Sequence, residues 1–220
     1  MSLGLEKQHD FLFQTYFGVK GDELDLFISR AYRDMNRTLH GIGKLNKKLK
    51  NEVFTKAKEL VKQSFMTLRN KTAPDEAAKL RAEFDDWHSK SCSILKKHYA
   101  KKLNSFSKTR LTYGQAQKWL NMTLKYCWVC GSDELKWLDP WFAAAHMPID
   151  AIILKAIKGE KVSGTQPPVT WSKWDNEDEY GNLQNALRCH ADKEGKSPLE
   201  LEFEWWPRYR SPQTDSDGED

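Results

Sequence analysis

Residues 112–127, TYGQAQKWLNMTLKYC, decide the fold of this chain because they carry its most regular helical pattern. Apolar or small side chains recur there at intervals of three and four, at Ala116, Trp119, Leu120, Thr123, Leu124 and Cys127. That spacing is typical of an α-helix with one buried face. Thr112 and Gln115 have the separation of a capping box, which predicts that the helix begins beside Thr112.

The same spacing on either side predicts further helices. They cover residues 22–40, 51–69, 148–158 and about 180–187, together with one long helix over 74–103 that has Pro74 at its first position. Residues 199–206 instead alternate Leu and aromatic side chains with Glu, a pattern typical of a strand. We therefore predict a mainly α-helical fold, a multi-helix bundle with one long helix and a short β element near the C-terminus.

The 220 residues fit one domain, and we predict a single compact helical domain over 1–210. The last ten residues, 211–220, SPQTDSDGED, contain no apolar side chain, and we expect a disordered acidic tail. Hydrophobic residues make up 39% and aromatic residues 12% of the chain, which is typical of a folded protein.

Composition also narrows the expected location and partners. No apolar run approaches the ~20 residues that a membrane span needs, so we expect no membrane partner. The N-terminal sequence MSLGLEKQHD does not have the pattern of a secretory signal, and we expect a cytoplasmic protein. Its four cysteines are too few for a disulfide scaffold, which leaves free thiols or metal ligands.

Charge divides the chain into two unlike halves. Residues 1–120 contain 24 Lys and Arg against 13 Asp and Glu, whereas residues 121–220 contain 11 against 18. The first half therefore either faces a polyanion or packs against the acidic second half. Eight of the nine tryptophans follow residue 118, so part of the Trp-rich acidic half 121–210 could form a surface for a protein partner, although most of these rings are expected in the core.

Lysines in two separate segments favour binding to nucleic acid. A solvated helix face explains such clusters as well as phosphate binding does, and lysine in place of arginine predicts weak sequence specificity. We favour a non-catalytic binding protein that contacts nucleic acid non-specifically through its lysine-rich half. The candidate contact residues are Lys44, Lys47, Lys48, Lys50, Lys96, Lys97, Lys101 and Lys102.

Residues 127–193 carry the types of side chain that bind zinc. Cys127 and Cys130 form a CxxC pair, followed by His146, by Gly181-Asn182-Leu183-Gln184 and by Cys189-His190 with Lys193. This pattern resembles the zinc-stabilised HNH endonucleases. The resemblance implies a metal-dependent nuclease in which His146 activates water, Asn182 orients the loop and His190 helps to hold a divalent metal, with zinc on Cys127, Cys130 and Cys189.

The pattern departs from that family at two points. The second CxxC is missing, which leaves Cys189 alone, and Ala145 stands where an acidic residue or histidine precedes the first catalytic histidine. Cys127 also completes the apolar series of its helix, and a free cysteine there packs as a small hydrophobic residue. We therefore favour no metal and a structural role for Cys127, Cys130 and His146, with zinc and enzymatic activity left open.

Overall fold

Helices form nearly all the regular structure of the chain. The computed structural model describes residues 4–18, 22–39, 42, 45–103 and 110–210, and within them there are nine α-helices and no strand. They are α1 (Leu5–Phe17), α2 (Glu23–Asn36), α3 (Lys47–Arg69), α4 (Ala77–Leu103), α5 (Tyr113–Cys130), α6 (Asp139–Phe142), α7 (Ala151–Gly159), α8 (Glu177–Lys193) and α9 (Pro198–Tyr209), with 3-10 helices at Asp133–Leu138 and Trp171–Lys173. The prediction of a mainly α-helical bundle is confirmed.

Helix α5 forms the centre of the bundle. The predicted capping box is present, with Thr112 accepting from the Gln115 backbone and the Gln115 side chain accepting from the Thr112 backbone. Helix α5 contacts α2, α4, α6 and the 3-10 helix Trp171–Lys173, so it is covered on several sides. Polar side chains such as Gln117 and Asn121 are consequently buried along with its apolar stripe.

Helices α3 and α4 form an antiparallel pair. Near the turn that joins them, the Trp87 indole donates to the Ser64 carbonyl over 2.8 Å, and far from that turn His98 Nε2 lies 3.1 Å from the Val53 carbonyl oxygen. The N-terminus of α3 therefore lies beside the C-terminus of α4. Helix α4 begins at Ala77 rather than Pro74, because residues 74–76 form the turn that precedes it.

The predicted β element at residues 199–206 is wrong, because this segment lies within α9. Ser197 accepts from the Glu200 backbone and Glu200 accepts from the Ser197 backbone, so a capping box starts a helix with Pro198 at its first position. The alternation failed as a signal because Glu202, expected on an acidic outer face, is fully buried against Lys125.

Helix α7 begins three residues later than expected, after Asp150, whose carboxylate accepts from the Ile152 and Ile153 backbones.

Within the ranges given above, no helix combines the length and the apolarity that crossing a bilayer requires. The acidic tail 211–220 lies outside the described residues.

Candidate functional site

The α3–α4 pairing brings together lysines from both segments of the sequence. Lys47, Lys48 and Lys50 occupy the first turn of α3. The last two turns of α4 carry Lys96, Lys97, Lys101 and Lys102. His98 lies in the same turns of α4 and contacts the Val53 carbonyl of α3. Burial lowers its pKa, and the positive charges of Lys102 on α4 and Lys56 on α3 lower it further. We call this set the basic end: Lys47, Lys48, Lys50, Lys56, Lys97, Lys101 and Lys102.

Most of the basic end is open to solvent. Lys47, Lys48, Lys97, Lys101 and Lys102 are exposed, and Lys50 is half-buried. Lys56 pairs with Glu59 on its own helix over 2.9 Å.

Two candidate lysines are not counted in the basic end, for different reasons. Lys96 forms an ion pair with Asp175 over 2.6 Å, so its charge is already neutralised within the protein. Lys44 lies outside the described residues. Six of the eight candidate lysines therefore belong to the basic end, and of the described candidates only Lys96 does not.

His146 belongs to a buried polar network that the sequence did not predict. Its Nε2 donates to Asp85 Oδ1 over 2.7 Å, and the Tyr180 hydroxyl donates to its Nδ1 over 3.0 Å. Arg188 donates to both Asp85 oxygens, over 2.7 and 2.9 Å, and to the Ala144 carbonyl over 2.6 Å. The network ties α4 and α8 to the segment before α7.

Burial and hydrogen bonding together set the protonation states of this network. Burial lowers the pKa of His146 to about 4, with a further decrease from Arg188, so the ring is neutral near pH 7. Although burial alone would raise the pKa of Asp85, the hydrogen bonds from His146 and Arg188 hold it well below its usual range. A neutral ring bonded on both nitrogens and shielded from solvent is suited to holding helices together.

We expect acid to destabilise the protein through His146. The unfolded chain takes up a proton as the pH falls below 6.5, whereas folded His146 resists protonation down to about 4. The contribution of His146 to the free energy of unfolding should therefore fall by about 3 kcal/mol across that window, in addition to the contribution of His88, whose pKa burial also lowers. Urea titrations at several pH values would measure the slope, and His146→Gln should make it shallower. An unchanged slope would contradict this assignment.

The other residues of the nuclease hypothesis have separate surroundings. Asn182 is exposed on α8, and His190 contacts Glu194 and the Trp205 ring rather than the partners of His146. Cys127 is buried and Cys130 half-buried at the end of α5 near Glu23, while Cys189 is exposed on α8 near Arg81. Across the described ranges, no group of three His, Cys, Asp or Glu side chains is arranged to hold a metal ion.

The tryptophans lie mainly in the core. Trp119, Trp141 and Trp205 are almost completely buried. The remaining six, all within the described part of the chain, are buried or half-buried. A protein partner at the Trp-rich half stays a prediction.

A polar stripe on α8 could have revealed the network around His146. Tyr180, Gln184 and Arg188 follow one another at intervals of four, so they share one face of α8 beside Leu183 and Leu187. Polar side chains next to an apolar stripe indicate a buried hydrogen-bonded face. Gln184 fits this pattern, because its amide bonds both the backbone N–H and the carbonyl of Met147.

Comparison with known proteins adds no family to this description. Neither protein-family models, nor curated proteins, nor solved structures gave a match to the chain. The resemblance to the HNH endonucleases therefore rests on residues 127–193 alone.

Proposed function

We propose that the protein binds nucleic acid without sequence specificity through the basic end. The observation that carries this proposal is that lysines from two distant parts of the sequence lie together and mostly exposed at one end of the α3–α4 pair. Phosphate groups along a nucleic-acid backbone attract such a cluster, and release of their counterions drives binding.

The position of the α3 lysines supports a binding role over a role in helix stability. Lys47, Lys48 and Lys50 lie in the first turn of α3, which contains no acidic side chain. Cations near a helix N-terminus oppose the helix dipole, at a cost on the order of 0.3–1 kcal/mol each. A polyanion bound at this end would neutralise the lysine charges and so remove their unfavourable interaction with the helix dipole.

Few carboxylates oppose the basic end. Residues 47–59 include two acidic side chains, Glu52 and Glu59, of which Glu59 pairs with Lys56, and residues 91–103 include none. The positive charge is therefore concentrated, which favours fast association with a polyanion. Lysine contacts a phosphate as a point charge, and a phosphate contact does not distinguish one base from another. The expected binding is therefore independent of the nucleic-acid sequence.

We expect binding to a short random-sequence DNA duplex to weaken steeply with salt. About four to five phosphate contacts from the exposed lysines would give a slope of roughly −4 in a plot of log affinity against log salt. Fluorescence anisotropy between about 50 and 200 mM salt would measure it. A slope near zero, or no binding at the lowest salt, would overturn the proposal.

A charge-reversal triple tests the location of the interface. Changing Lys97, Lys101 and Lys102 to Glu should weaken binding at least about tenfold at low salt, because contacts are replaced by repulsion. The matched control changes Lys155, Lys158 and Lys193, which are also exposed, to Glu and alters the net charge equally. Equal weakening by both triples would show that net charge alone is responsible and would contradict the assignment to the basic end.

A further inference from the structure

A charged cleft is lined by residues that include none of the basic end. Its volume is about 630 Å³, within the range of small-molecule sites. Helix α5 contributes Lys118, Met122 and Lys125 to its lining, at intervals of three and four along one helix face. The surrounding walls come from α1, from α2, from the start of α7, from α9 and from the 3-10 helix Trp171–Lys173.

Three carboxylates line this cleft, and each is held by an ion pair or a hydrogen bond. Lys118 pairs with Asp150 over 2.8 Å, and both side chains are largely buried. Lys125 pairs with Glu202. The third carboxylate, Asp34, accepts from the Tyr126 hydroxyl over 2.5 Å. Burying charges at this density is unfavourable unless each is well compensated, so the cluster is costly as a purely structural feature.

Glu202 is a buried charge of the cleft that the protein leaves incompletely compensated. Its side chain is 1% exposed and Oε2 contacts Lys125, but Oε1 has no partner anywhere in the described ranges. A buried carboxylate oxygen without a donor costs on the order of 1–3 kcal/mol or more. A ligand group that donates a hydrogen bond would remove this cost.

Two arginines supply positive charge at the edge of the cleft. Arg37 and Arg210 are exposed, and among the described residues neither forms an ion pair with a carboxylate. Arg210 lies over the Trp206 ring at 4.9 Å. The cleft contains five Lys or Arg side chains and three Asp or Glu side chains, so its net charge favours a ligand of about two negative charges.

We propose that the cleft binds a nucleotide-sized phosphomonoester, with its phosphate on Arg37 and Arg210 and an amino group donating to Glu202. A phosphomonoester carries close to two negative charges near pH 7. Arginine binds phosphate oxygens in a forked, two-bond geometry that lysine lacks. Trp171 and Trp206 also line the cleft, and aromatic side chains of this kind can pack against a ring of the ligand.

Titration of the full chain with four probes tests the ligand class. The probes are adenosine 5′-monophosphate, ribose 5-phosphate, inorganic phosphate and adenosine, with binding followed by calorimetry and by tryptophan fluorescence. We expect the monophosphate to bind at least about tenfold more tightly than each other probe, because it alone supplies both phosphate and amino group. No binding, or equal binding of ribose 5-phosphate, would overturn the proposal.

Three variants test the assigned contacts. Arg37→Ala and Arg210→Ala should each weaken monophosphate binding about tenfold, whereas Arg208→Ala, on the same helix as Trp206 but paired with Glu160, should not. Glu202→Gln should weaken the monophosphate but not inorganic phosphate. Unchanged affinity in both Arg37→Ala and Arg210→Ala would refute the site even if Glu202→Gln fails to fold.

The basic-end triple separates this inference from the nucleic-acid proposal. Changing Lys97, Lys101 and Lys102 to Glu should leave monophosphate binding unchanged, since none of these lysines lines the cleft. Loss of monophosphate binding in that triple would count against a separate site in the cleft.

Discussion

Replacing Asp85 by alanine is expected to lower the free energy of unfolding by about 3 kcal/mol, because it leaves Arg188 buried without a counter-charge. The Arg188 side chain is 2% exposed and cannot regain water without moving, whereas the Asp85 side chain is 41% exposed. The alanine variant would also leave His146 Nε2 without its acceptor. Urea unfolding followed by circular dichroism at pH 7 would measure the change.

A second bidentate pair provides the matched control. Arg81 donates to both oxygens of Asp192, over 2.6 and 2.9 Å, but this pair is exposed. Asp192→Ala should therefore cost only about 0–1 kcal/mol. Arg188→Met should cost less than Asp85→Ala, since the remaining Asp85 carboxylate can be solvated. Equal costs for Asp85→Ala and Asp192→Ala would contradict a burial-dependent role for the network.

Local signals in the sequence predicted much of the fold. The capping box at Thr112 and the periodicity up to Cys127 correspond to α5, since a helix start and an apolar stripe are both encoded within one short segment. The stripe over residues 22–40 likewise corresponds to α2, with Asp22 as the predicted cap. Elements whose start and buried face are both marked locally were predicted well.

The error at α9 has a different physical origin. Its alternating pattern indicated a strand, yet Ser197, Pro198 and Glu200 carry a helix-start signal that should have taken precedence. Glu202 looked like a solvated residue because its partner, Lys125, lies on another helix. Long-range ion pairs of this kind leave no trace in the periodicity of one segment.

The candidate sites were predictable only in part, for the same reason. The sequence identified most lysines of the basic end. Only the α3–α4 pairing shows that the start of α3 and the end of α4 lie at the same end of the pair, and only the fold shows that Asp175 neutralises Lys96. The cleft went unpredicted because its charges come from four separate segments: α2, α5, the start of α7 and α9. Its lysines, Lys118 and Lys125, lie in α5, where the regular apolar series predicted a buried helix face and gave no indication of a charged cleft.

Gly114→Ala is expected to destabilise the protein by about 3 kcal/mol or more, at the upper end for overpacking, because the obstacle is backbone. A Cβ at Gly114 would lie 1.9 Å from the Trp171 carbonyl oxygen, and the Gly114 N–H donates to the Trp174 carbonyl over 2.8 Å. The segment that carries Trp171 would have to move away from α5. Thermal unfolding should show a decrease in Tm on the order of 6–12 °C at this chain length.

Gly181→Ala on α8 makes the same chemical change where there is room. No atom lies within 4 Å of a Cβ built at Gly181, so alanine should stabilise the helix by about 0.5–1 kcal/mol through its better helix propensity. The two substitutions should thus shift Tm in opposite directions. Because Trp171 lines the charged cleft, Gly114→Ala should also weaken monophosphate binding there, whereas Gly181→Ala should not. Shifts of the same sign would show that close packing at Gly114 does not fix the position of Trp171.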